Sequence, residues 1–442
     1  MSPLHAVRAR KPRRDRSPAL RVESLEPRLP LAGNVTAQLL GSTLLLTGDA
    51  LDNQVIVASA PGGRMAVFGP TGNTINGSTS PFTTSRAVTN IVANLNGGSD
   101  QIGFGNDANA LGLWLQTGGT SWPQTDVALQ AAIDAVALGV TTFSLPGSLT
   151  VTTGDGNDAV GIVGNVGGSV VANLGSAIAG STSGNGFGLG DSRLNAITSR
   201  VGGAVSVVGG AQIDSAFIFG TNVGGGVSLA LGNGGNNAQV QGIGATIGSF
   251  AYTGGTADEL VVLTNLTVKN GVTVFTGSQG KDEIRLSNRV TVGGSAILNT
   301  GTGGGEDYVF VGQSGIRGGL SVATGSGNDE IDIDVNTVGL GLAVNSGAGD
   351  EDIEMNLTTV GLNTVIDAGA GNDRVALYDM QTRYNLVVSM GAGNDVLSLD
   401  NVSAFAAFLY GGAGANTLNT TATTRAGIRT LRYVQFQTVN NT

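Results

Sequence analysis

Four stretches of this chain repeat one pattern: GSGNDEIDI (325–333), GAGDEDIEM (347–355), GAGNDRVAL (369–377) and GAGNDVLSL (391–399). A fifth, weaker copy starts at Gly412. The acidic position recurs at Asp329, Glu351, Asp373 and Asp395, each 22 residues after the last, and Asn416 follows 21 later. A glycine turn and an alternating apolar run at a fixed period of 20–50 residues mark a solenoid, in which each repeat buries its apolar face only against its neighbours. The spacing therefore predicts an all-β, single-stranded parallel β-helix (a β-solenoid) with coils of about 22 residues. Right-handed coiling is expected, as for parallel crossovers in general.

Composition supports a narrow, packed interior. Apolar residues make up 40% of the 442, against 5% aromatic and 12% charged, with 73 Gly and no Cys. This is too apolar for a disordered low-complexity chain. Small branched side chains can fill a thin core, and Gly and Asn make tight turns. Alternation places Val375, Leu377, Leu386, Val388, Leu397 and Leu399 inside, and Asp and Ser outside. Roughly fifteen coils at a strand spacing of about 4.8 Å would span about 70 Å.

The pattern divides the chain into a basic leader (1–32), an N-terminal cap with irregular first coils (33–95), the repeats (96–420) and a C-terminal cap (421–442). Val35–Leu39 and Thr43–Thr47 flank Gly41-Ser42 as a hairpin or a first coil. Residues 127–136 fit a short helix or a coil whose turn has lost its glycines. The coil is favoured, because residues 133–154 match the two-strand layout of later repeats, with Asp134 as the turn acid. Upstream equivalents of Asp329 are then Asp158, Asp191, Asp214, Asn237, Asp258, Asp282 and Asp307, with an insertion in 176–185. Tyr433 and Phe436 are expected to plug the last coil.

The turns are the candidate site. No Lys or Arg occurs between Arg317 and Arg374, a stretch holding ten acids. Stacked carboxylates repel, and a calcium ion bound through carboxylate and carbonyl oxygens would relieve that. The candidate ligands are Asp329, Asp350, Glu351, Asp373 and Asp395. In the competing reading, Asn and Asp cap each turn by side chain-to-backbone hydrogen bonds, with Asn157, Asn328, Asn372 and Asn394 as ladder residues. GAGNDRVAL resembles the RTX calcium-binding nonapeptide, G-G-x-G-x-D-x-(large apolar)-x. The nearest copy in frame is residues 411–419, with Asn416 where that family has Asp. RTX coils carry two such units, whereas one occurs here per 22 residues. The resemblance implies calcium at the turn and does not extend to the whole coil.

Residues 1–28 hold eight Arg or Lys against three acids, leaving 14 basic and 29 acidic residues for the rest. An acidic body argues against nucleic acid as a partner. No apolar run reaches the ~20 residues of a membrane-spanning helix. RVESLEPRLPLAG (21–33) resembles the leader of many large exported planctomycete proteins: an Arg cluster, Leu-Glu-Pro-Arg, then a short Leu-rich end. It has Pro30 where that pattern tends to have Leu. The resemblance implies secretion or a cell-surface location. The single His is His5, which removes Ser–His, Cys–His and His–metal chemistry. Asp332, Asp334, Glu354, Asp379 and Arg374 mimic the acid–arginine cluster of a polysaccharide lyase or glycosidase, but acids at alternate positions also suit a solvated strand face. The expectation is a non-enzymatic rod at the cell surface, structural, adhesive or matrix-forming, whose partner is a surface polysaccharide or another envelope protein.

Overall fold

The computed structural model describes residues 33–70, 72–115, 127–179, 184–193 and 196–441. The leader, residues 1–32, lies outside them. The described chain is a parallel β-solenoid of about 13 turns, with coils about 22 residues apart.

One coil shows how the sequence makes the cross-section. Leu342–Asn345 forms one side. The turn 346–351 leads into Asp352–Asn356, the second side. Leu357, at φ 48°, bends the chain into Thr359–Val360, the third. A glycine-led corner then returns to Thr364–Asp367. The bend repeats at Val335, Asp379 and Asn401, all at positive φ. Each side stacks in register on its equivalent, as in Leu342↔Thr364, Ile353↔Val375 and Val338↔Val360. The turn glycines are sterically required. A Cβ on Gly393, at φ 153°, would sit 1.5 Å from the carbonyl oxygen of Gly371 one coil away.

The interior is one continuous apolar column. Val375, Leu377, Leu386, Val388, Leu397 and Leu399 all lie in it, at 0–1% exposure, so the alternation gives the correct parity.

The expected hairpin is present, Asn34–Leu40 pairing antiparallel with Thr43–Thr47. A second one, Gln54–Ala60 with Arg64–Phe68, also belongs to the first coils. At the other end Ile428–Val434 continues the first side and Thr438–Asn441 the second by one coil. Phe436 packs on the core there, while Tyr433 is half-exposed.

Residues 127–137 are a helix, not a coil. Two helices, α1 (Ala108–Leu115) and α2 (Val127–Ala137), are inserted between successive coils. Leu129, Ile133 and Ala137 of α2 recur every four residues and are buried against the outer side of the first coils, on Ile56, Ala58, Ala66 and Phe68. Asp134 is therefore a helix residue, bonded by Gln130 at 2.8 Å, and is no turn acid.

Candidate functional site: two ladders in the acidic turns

Consecutive turn residues point to opposite sides of the wall, so Asn-Asp builds two ladders from one turn. The outer ladder is Asn328, Asp350, Asn372 and Asn394. Each Oδ1 accepts the N–H of its equivalent in the following coil: Asp350 to Asn328 at 2.9 Å, Asn372 to Asp350 at 2.7 Å and Asn394 to Asn372 at 3.0 Å. The inner ladder runs the other way. The N–H of Asp307 donates to Asp329 at 2.8 Å, that of Asp329 to Glu351 at 3.2 Å, and that of Glu351 to Asp373 at 3.0 Å. Asp373 then donates to Asp395 at 3.0 Å, and Asp395 to Asn416 at 2.9 Å.

This inner ladder extends far beyond the obvious repeats. It passes from Asn53 through Asp100, Asp158, Asn185 and Asp214 to Asn236. It resumes from Glu259 through Asp282 to Asp307, and it ends on Gln437. Three of the expected equivalents are corrected. The member at the second upstream position is Asn185, not Asp191, and the others are Asn236 and Glu259 rather than the adjacent Asn237 and Asp258. Asp191 instead forms an ion pair with Arg193 at 2.6 Å, and Arg193 also reaches Asp107 at 2.7 Å. The expected insertion falls partly on 180–183, outside the described residues.

The acids at 329, 351, 373 and 395 were expected on the outside. They are buried, at 0–2% exposure. The physical reason is the turn's own N–H, which faces the interior and must find an acceptor there. Asp350 alone of the five candidate calcium ligands is exposed, on the outer ladder. The structure thus puts four candidates in one buried column and the fifth on the other side of the wall. Among the described residues, no group of three or more His, Cys, Asp or Glu is arranged to hold a metal ion.

Each inner acid spends one oxygen on the ladder. The second oxygen finds a partner at some coils, such as the Thr276 hydroxyl, which donates to Asp282 at 2.6 Å. At Asp329, Glu351, Asp373 and Asp395 that oxygen is buried without a partner. Further along, Ala368 and Met390 stand at the position equivalent to Ser346, so the hydroxyl column stops beside Asp373 and Asp395. Orphaned carboxylate oxygens in an apolar column require a proton or a cation. Burial pushes Glu351 up to about 8, helped by the neighbouring Asp329, and pushes Asp373 up to about 6. Burial also raises Asp100 to about 8 and Asp158 and Glu259 to about 7. Asp329 and Asp395 shift in the same direction for the same reason. Calcium needs six to eight oxygens. The column supplies one free carboxylate oxygen per coil, so a full shell would need turn carbonyls as well.

The acid–arginine cluster lies on the outer face of the second side. Asp332, Asp334 and Glu354 line a hollow of about 160 Å³ with Phe310 and Asn356. Arg374 pairs with Asp352 at 2.5 Å and with Glu354 at 3.2 Å. Asp379 is separate, in the bend of its coil, and accepts from Asn401 at 2.6 Å.

Comparison with family models, curated proteins and solved structures gives no match to this chain. No described helix is long and apolar enough to cross a membrane.

Proposed function

We propose that this chain is an exported, non-enzymatic β-helix rod that acts as a structural, adhesive or matrix component of the cell surface. The observation that carries the reading is the stack itself. About 13 turns share one apolar column and one buried ladder, and the acid–arginine cluster opens only a small hollow. Sites that enclose a small ligand occupy about 300–1,000 Å³. Arg374, the one cation of the cluster, is already held by Asp352 and Glu354. Such a cluster suits a solvated strand face of a scaffold better than the site of a lyase or glycosidase. The resemblance of residues 21–33 to planctomycete export leaders supports the location. Deleting residues 1–32 should leave the melting temperature unchanged and keep a C-terminally tagged protein inside the cell. A truncated protein that still reaches the surface would sink the export reading.

Calcium belongs to the same proposal as the cation that replaces protons on the inner column. What supports it is the set of orphaned oxygens at Asp329, Glu351, Asp373 and Asp395. A ligand that binds only the folded chain stabilises it by mass action, and extracellular calcium modules bind in the ~10⁻⁴–10⁻³ M range. Only the ionised carboxylate is a ligand, so the effect must grow with pH. About 10 mM Ca²⁺ should raise the melting temperature at pH 8.5 and do little at pH 5. Asp373→Asn with Asp395→Asn should reduce the rise. No change at pH 8.5 would leave protons as the only counter-charge.

A further inference from the structure

The third side of the coils, and the corner that follows it, has different chemistry from the acidic turns. Residues 401–442 contain three arginines and no acid. A groove of about 560 Å³ crosses four successive coils there, lined by Gln381, Arg383, Ser403, Phe405 and Arg429 among others. It is built by the stack: Thr359 pairs with Gln381, Gln381 bridges to Ser403, and Ala404 pairs with Ile428. Its long axis therefore follows the rod.

Two features combine at this groove. First, its guanidiniums hold no carboxylate. Among the described residues, neither Arg383 nor Arg429 has an ion pair, while Arg193, Arg285 and Arg374 each hold a carboxylate. Second, each of the two sits by an exposed ring. Arg383 lies 5.7 Å from the centre of Tyr384, and Arg429 lies 5.8 Å from that of Phe405. Both rings are about half-exposed, at 46% and 53%. Rings left open beside arginines offer a flat apolar face and a bidentate fork together.

We infer that this groove binds an anionic polysaccharide, carboxylated or sulfated, laid along the rod axis. This gives a partner to the surface rod proposed above and rests on that reading for its setting; the site itself stands on the groove. The guanidiniums would take the acid groups in paired charge-assisted hydrogen bonds. Phe405 would stack on the apolar face of a sugar ring, and Gln381 and Ser403 would meet hydroxyls. Arg383 and Arg429 are two coils apart, roughly 10 Å at the parallel-strand spacing. That suits widely spaced charges. A single nucleic-acid strand carries one charge per about 3.4 Å.

The test is binding of the purified full chain to polygalacturonate at about 0.15 M salt, where screening over ~8 Å mutes the acidic faces. Neutral dextran, polyglutamate, a short oligonucleotide and inorganic phosphate serve as comparisons. Polygalacturonate should bind and dextran should not. Arg383→Ala with Arg429→Ala should weaken binding at least about tenfold, the loss of charge-assisted bonds. Phe405→Ala should weaken it about three- to tenfold. Melting temperatures should not move, because none of these side chains is buried. Arg383→Lys with Arg429→Lys keeps the charge and should still lose affinity, since the fork is lost. The basic leader is present in every variant and adds the same parallel pull on polyanions to each, so the loss is read from the differences between association constants, in which that pull cancels. Equal binding by the double alanine variant overturns the site. So does tighter binding of polyglutamate or the oligonucleotide, or displacement by phosphate alone. Export plays no part in this assay, so a failed localisation experiment leaves its outcome intact, and the reverse holds too.

Discussion

Leu377→Asp is expected to unfold the coils around residue 377 and lower stability by more than about 4 kcal/mol, the range reached when an unpaired charge is buried. Leu377 stacks between Met355 and Leu399, all three at 0–1% exposure. A carboxylate there has no water and no donor. Because each coil packs only on its neighbours, the damage should spread from that layer. Urea unfolding reads the loss, and hydrogen exchange locates it. Val365→Asp is the matched control, since Val365 is 43% exposed on the outer face. It should cost little. Equal melting of wild type and Leu377→Asp would mean that the strand parity is off by one.

That parity was readable because two periods coincide. The 22-residue repeat fixes equivalent positions, and alternation within each strand fixes the face. Where either period fails, the face of a residue is not fixed by its position in the sequence. Residues 127–137 offer apolar residues at both strand and helix spacings. The deciding signal was elsewhere: Gln54–Ala60 is apolar on both faces, so something must cover its outer side. The ladder positions 236 and 259 were missed by one residue because each lies beside a second polar residue, Asn237 or Asp258. Only hydrogen bonding separates the inward member from the outward one.

The burial of the turn acids leaves a trace in the sequence. Ladder positions also take amides: Asn185, Asn236, Asn416 and Gln437 each accept a neighbouring N–H where other coils use Asp or Glu. A site that required negative charge would not accept an amide. One that requires an acceptor oxygen on a short polar side chain does. Composition hides this, because it counts an acid as a surface charge wherever it stands.

The inner ladder should make the rod more stable in mild acid than in mild base, in calcium-free buffer. Carboxyls in the unfolded chain titrate near 4. In the fold, burial raises Asp282, Asp307 and Asp373 to about 6, Asp158 and Glu259 to about 7, and Asp100 and Glu351 to about 8. A raised folded value means that the fold binds protons more tightly than the unfolded chain does. The resulting stability is full below about pH 4 and is lost as pH rises through 6 to 8. Ordinary paired carboxylates give the opposite slope. Among the described residues no Lys or Arg is buried in the column to offset the charge. The expected effect is several kcal/mol, on the order of a few pKa shifts at about 1.4 kcal/mol per unit. It appears as a melting temperature that falls steadily from pH 5 to pH 8.5. Glu351→Gln, Asp373→Asn and Asp395→Asn together replace protonated acids by near-isosteric amides, as Asn416 already does one coil on. The triple variant should melt higher than wild type at pH 8.5, match it near pH 5, and show a flatter slope between. A wild-type profile that rises with pH, or a triple variant as steep as wild type, would mean that the column is ionised in the fold.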